Sequence, residues 1–195
     1  EDGWVDGEGA SYTFNGSQTE VGGDEGNNTF TIAVKEGTDL LNYIVEQVFG
    51  TLTVTASTKE LKVVSADGEW TYDGNAHVKH EYTVTYGYET YNVTIAEGEE
   101  TGTATLSTGD AVTVTPDAAA TITHVAESDV TNAFSYTVEN GSQYANQAKE
   151  EGALTVTPAT LTITAINQNY NYNGQIQGEG DTAYDNPADI AKKVT

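Results

Sequence analysis

The chain contains no cysteine and no methionine, and its seven basic residues, all lysine, face 30 acidic ones. Without cysteine there can be no disulfide staple, no thiolate-bound zinc and no thiol nucleophile. Without methionine, and with leucine scarce, a helical bundle would have little to pack with. The shortage of cations leaves a formal net charge of −23. A field of that sign repels phosphate backbones, which excludes nucleic-acid binding through a basic patch and disfavours anionic membranes. No run of residues is apolar for long enough to span a bilayer, and no basic-then-apolar signal segment opens the sequence. The 195 residues are therefore expected to be a mature or excised piece with no membrane insertion of their own, any anchor lying elsewhere.

Threonine, glycine and asparagine take the place of missing apolar side chains, and the hydrophobic fraction is 37%. This mixture suits short, half-buried strands and tight turns. Threonine or serine alternates with an apolar residue in Thr29–Val34, Tyr82–Tyr86, Tyr91–Ile95, Val112–Val114 and Phe134–Val138. Period-two alternation gives one core face and one wet face. Asn15-Gly16, Asp67-Gly68, Asp73-Gly74, Asn140-Gly141 and Asn173-Gly174 punctuate these runs as turns. The predicted class is all-β, as antiparallel Ig-like β-sandwich modules in tandem, with β-grasp-like modules as the alternative. The stretch Asp39–Phe49 fits a helix or a strand, and the strand is preferred because it feeds a hairpin into Thr51–Val54.

The sequence repeats itself. Leu61, Val63, Trp70, Tyr72 and Gly74 recur one hundred residues later as Leu161, Ile163, Tyr170, Tyr172 and Gly174. Gly50-Thr51-Leu52-Thr53-Val54-Thr55 recurs as Gly152-Ala153-Leu154-Thr155-Val156-Thr157, and Asn28, Phe30 and Val34 as Asn132, Phe134 and Val138. Matches kept in the same order at nearly constant spacing mark a repeat architecture. They predict one complete module over 60–159, the later part of another over 1–59, and the opening third of a third over 160–195. The two partial copies add up to nearly one further unit, and are expected to complete each other within a chain or between chains.

Leu61, Val63, Tyr72-Asp73-Gly74, Asn132, Phe134 and Gly152-x-Leu154-x-Val156-Thr157 together resemble the YDG and MBG-type repeats of bacterial secreted surface proteins. The copy at 161–195 departs from that signature at Asn173, where the family carries Asp, and Asn42-Tyr43 becomes Gln143-Tyr144 in the complete copy. The resemblance implies tandem extracellular modules of adhesins or stalks on the bacterial cell surface, with no catalytic residues.

Candidates for chemistry are few. His77 and His80 on a strand would point to opposite faces, unsuited to sharing a metal. Carboxylate clusters such as Glu97-Gly98-Glu99-Glu100 sit on glycine-rich turns rather than facing each other across a cleft. The oxygen-rich loops Gly22–Asn28 and Asp2–Glu8 lack the spacing of a dedicated calcium loop, leaving weak Ca2+ binding as the most they offer and no cofactor otherwise. Lys62 could enter an isopeptide cross-link, but Thr162 replaces it in the next copy. Trp70 and Tyr72 recur, so they belong to the core or a hairpin. Tyr86, Tyr88 and Tyr91 do not recur and are the candidate ligand contacts. Two functions follow as expectations: a structural stalk or filament module whose partners are neighbouring copies, and alternatively an adhesive module for a host glycan or protein. Enzymatic activity is not expected.

Overall fold

A computed structural model describes residues 3–194. Strands form where the alternation is cleanest. In chain order they are β1 (Ala10–Phe14), β2 (Phe30–Val34), β3 (Ser57–Ser65), β4 (Gly68–Thr71), β5 (Glu81–Tyr86), β6 (Glu89–Thr94), β7 (Gly102–Thr105), β8 (Ala111–Pro116), β9 (Val130–Thr131), β10 (Phe134–Val138), β11 (Tyr144–Glu150) and β12 (Ala153–Thr157). One four-residue helix, α1 (Pro187–Ile190), starts on an Asn186 cap whose side chain accepts from the Ala188 N–H. The protein is thus mostly β.

Between Ser57 and Thr157 two sheets share a core. The order β11-β3-β5-β6 makes one and β10-β8-β7 the other. Leu61 and Val63 of β3, Val84 of β5, and Val112 and Val114 of β8 are fully buried in one cluster with Phe134 and Tyr144. Each such side chain contributes about 1.5–3 kcal/mol on leaving water. A smaller cluster of Ile122, Leu154 and Val156, with Trp70 packed on it, lies beside the third sheet, β4-β12-β9.

Not all pairings are antiparallel, as the alternation alone suggested. β11 runs parallel to β3 and β12 parallel to β4. The chain reaches β11 only after crossing the β8–β10 layer, and so comes back alongside β3 from the end at which β3 starts. In consequence Ser57 and Thr157, where the chain enters and leaves this unit, lie at opposite ends of it. β3 begins at Ser57, three residues before the boundary drawn at 60.

The turns divide into two kinds. Asp73-Gly74, Asn140-Gly141 and Asn173-Gly174 use positive φ, at Gly74 (83°), Asn140 (52°) and Gly174 (74°). Gly68 instead serves close approach: a Cβ there would lie 2.3 Å from the Trp70 ring, so the glycine admits the indole.

Candidate interaction surface

The β1–β2 hairpin and the β8–β10 hairpin are built to one plan. Pairing runs from Ala10↔Val34 to Phe14↔Phe30 in the first and from Val112↔Val138 to Pro116↔Phe134 in the second. The bond from Asn15 N–H to Thr29 C=O (2.9 Å) has its counterpart from Asp117 to Ala133 (3.0 Å). Lys35 N–H donates to Gly9 C=O (2.9 Å) as Glu139 donates to Ala111 (2.8 Å). Asn28 N–H donates to Gly50 C=O (2.9 Å) as Asn132 donates to Gly152 (2.8 Å). A 3-10 turn follows each hairpin, Leu40–Asn42 in one and Gly141–Gln143 in the other.

Beyond Tyr43 and Tyr144 the two part company. Tyr144–Glu150 becomes β11 because β3 lies alongside to receive its hydrogen bonds. Residues 44–49 have no such neighbour among the described residues and form no strand, against the expectation drawn for them. Their backbone remains an open edge, and Ile44, Val45, Val48 and Phe49 are exposed. Between this segment and the Tyr12, Phe30 and Ile32 face of the hairpin runs an open groove of about 490 Å³. The corresponding face of β8–β10 is closed by β3, β5 and β6.

The segment after Thr157 shows the converse. Its turn reproduces the earlier one: Gln175 N–H donates to Asn173 Oδ1 at 2.9 Å, as Asn75 N–H does to Asp73 Oδ1 at 2.9 Å. Its apolar residues find no core. Leu61 and Val63 have 0% exposure, whereas Leu161 has 83% and Ile163 66%. Tyr172 and Ile176 are also exposed. Among the described residues, an isolated bridge, Ala165 to Val194, is the one sheet contact of this stretch. Near the end of the chain Glu179 gathers Lys193, Tyr184 and Gln168, which hold its carboxyl down at about 2.

A polar knot holds the layers of the central unit together. Asn132 is fully buried, and its side-chain amide donates to the carbonyls of Ala66 and Lys79, both at 2.8 Å. Ser65 Oγ donates to Asn132 C=O (2.7 Å) and accepts from Gly152 N–H (2.9 Å). Asn132 was visible in the sequence as a repeated position. Ser65 shares the inward face of β3 with Leu61 and Val63, and the bonds its hydroxyl makes there are set by residues far along the chain.

The three non-repeating tyrosines do not form a shared platform. Tyr86 is a core residue: its ring lies edge-on to Tyr144 with centroids 5.4 Å apart, and its hydroxyl is 2.7 Å from Ser57 Oγ. The alternation of β5 requires this, because Tyr82, Val84 and Tyr86 share one face. Tyr91 is partly buried against the same core; it donates to Glu89 (2.7 Å), which raises the phenol, and accepts from Ser107 N–H (3.0 Å), while the Glu89 carboxylate is lowered first by the Ser107 hydroxyl (2.6 Å) and then by Tyr91. Tyr88 alone stands free, at the β5–β6 turn.

The remaining candidates have local partners. His77 stacks on Trp70 with centroids 4.9 Å apart and sits 3.0 Å from Asp73. His124 lies near Tyr72, which is exposed rather than in the core. Lys62 pairs with Glu150 across β3 and β11. In the Gly22–Asn28 loop, Asn27 bonds both the N–H and the C=O of Leu52 (2.5 and 3.0 Å), pinning the Gly50–Val54 segment. Of the Asp2–Glu8 loop, Asp2 lies outside the described residues. No group of three or more His, Cys, Asp or Glu side chains is placed to hold a metal ion among the described residues. Comparison of the chain with family models, with curated proteins and with solved structures gave no match.

Proposed function

We propose that this chain is a structural, non-catalytic piece of a bacterial extracellular surface protein, a stalk or filament of tandem Ig-like sandwich modules. The observation that carries this reading is the pair of parallel joints, β3 with β11 and β4 with β12. Tension along a stalk enters the unit at Ser57 and leaves at Thr157. It draws β3 and β4 one way while β11 and β12 are drawn the other, so the two ladders are loaded in shear. Every hydrogen bond in them then resists together, whereas a hairpin pulled from its open end would release its bonds one by one. The repeated hairpin framework and the strongly acidic, solvated exterior support the same role, since like-charged units keep apart and stay soluble.

Single-molecule stretching tests this. The 101 residues from Ser57 to Thr157 should extend in one discrete event, lengthening the chain by about 30 nm, given about 3.6 Å per extended residue less the folded length. Gradual lengthening without a discrete event would overturn the reading.

A further inference from the structure

We propose that the end of the central unit where the β4–β5, β6–β7 and β8–β9 connections meet is a docking groove for a basic, partly apolar segment of another protein. Two adjoining hollows lie there, of about 390 and 490 Å³, and both are lined by Val78, His80 and Glu99. Val78, Pro116, Ala118 and Ala120 give the first an apolar floor, and Ile95 and the Trp70 ring extend it into the second. The rim is acidic. Glu97, Glu99, Glu100 and Asp117 stand around the hollows, and among the described residues none of them forms an ion pair. Lys79, the one lysine lining the groove, is held by Glu81 at 2.7 Å, so the four rim carboxylates are left unbalanced. Like charges gathered on one rim repel one another, and an opposite charge brought between them relieves that repulsion.

The groove is held in shape by the core behind it. His77 N–H donates to Ile122 C=O (2.8 Å) and Ile122 N–H to His77 C=O (3.0 Å), which joins the β4–β5 connection to the β8–β9 one. Ile95 N–H donates to His80 C=O at 3.0 Å, and the buried Asn132 amide to Lys79 C=O at 2.8 Å. Asp117 bends the chain back at the rim, its carboxylate accepting from Ala119 N–H at 2.9 Å. A surface ordered in advance loses less binding energy to ordering. The module plan does not demand these side chains: Gly180 stands at the position of His80, and Asn15 at that of Asp117.

Charge decides the kind of partner. Nucleic acid and anionic lipid are repelled by such a rim. A second copy of this chain has seven lysines against 30 acidic residues. Its one adjacent pair is Lys192-Lys193, of which Lys193 is already bound to Glu179. A lysine- or arginine-bearing segment of a different protein fits both features of the groove. Its aliphatic stems can lie over Val78 and Pro116 while the charged heads meet the carboxylates, and apolar neighbours fill the floor. Opposite fields also speed the encounter.

The probe is a short fluorescein-labelled peptide alternating lysine with valine, titrated against the full chain by fluorescence anisotropy. A control peptide carries glutamate in place of lysine. The lysine peptide should bind at low salt, more weakly at high salt, and the glutamate peptide not at all. Glu97→Gln, Glu99→Gln and Glu100→Gln together should weaken binding about tenfold. Asp24→Asn, Glu25→Gln and Glu36→Gln remove as many exposed charges from the N-terminal unit and should leave it unchanged. Val78→Ser should weaken it about threefold or more with the charge unaltered. All seven positions are exposed, so the fold is retained. No binding of the lysine peptide, equal weakening by the two triple variants, or no effect of Val78→Ser would each overturn the proposal. The stretching event of the central unit is measured without peptide, so the structural-module reading stands or falls separately.

Discussion

Leu61 and Leu161 hold the same place in the repeat, and truncating each to alanine should have opposite consequences. Leu61 is wholly buried between Tyr86 of β5 and Gln147 of β11. Its removal takes away the transfer free energy of three carbons and leaves a cavity, at a cost of about 2–5 kcal/mol. For a unit of this size each kcal/mol lowers Tm by roughly 4–8 °C, so Leu61→Ala should lose at least 8 °C or so by the same scale. Leu161 is mostly in water, and Leu161→Ala should fall within about 0.5 kcal/mol of the parent. Urea unfolding in dilute solution, followed by Trp70 fluorescence in a Trp4→Phe background, isolates the central unit because the chain has only these two tryptophans. Equal destabilisation by the two substitutions would show that Leu161 already packs against the central unit in the single chain, refuting the open-segment picture.

Asn132→Ala removes two side-chain bonds and strands the carbonyls of Ala66 and Lys79, so it should cost about 2–4 kcal/mol in the same unfolding assay. The Tyr144 phenol is pushed up to about 12, first by burial and then by its bond to Asp110. A folded-state pKa above the unfolded value near 10 means the associated stability is intact below pH 10 and lost as pH rises towards 12. Tyr82 and Tyr136, raised by burial, act in the same direction. Denaturant midpoints measured from pH 9 to 12 should therefore fall, and Tyr144→Phe should make that fall shallower.

The sequence by itself determined the strands whose partners are close in the chain. Tyr82–Tyr86, Val112–Val114 and Phe134–Val138 announce themselves by alternation, and the Asp73-Gly74 and Asn173-Gly174 turns by chemistry that is complete within five residues. The repeat was equally legible, since it is a relation among letters. Tertiary structure alone decided the rest. Tyr86 looked like a surface aromatic until the register of β5 turned it inward with Val84. Ser65 follows Leu61 and Val63 on the inward face of β3, but its partners Asn132 and Gly152 arrive from far along the chain. Tyr144–Glu150 is a strand and residues 44–49 are not, although both follow the same hairpin and the same 3-10 turn. A strand is a property of two segments, and a sequence window holds only one of them. Whether such a segment becomes a strand depends on the arrival of a parallel partner from far along the chain, which β3 provides for β11 and which Val45–Val48 lacks.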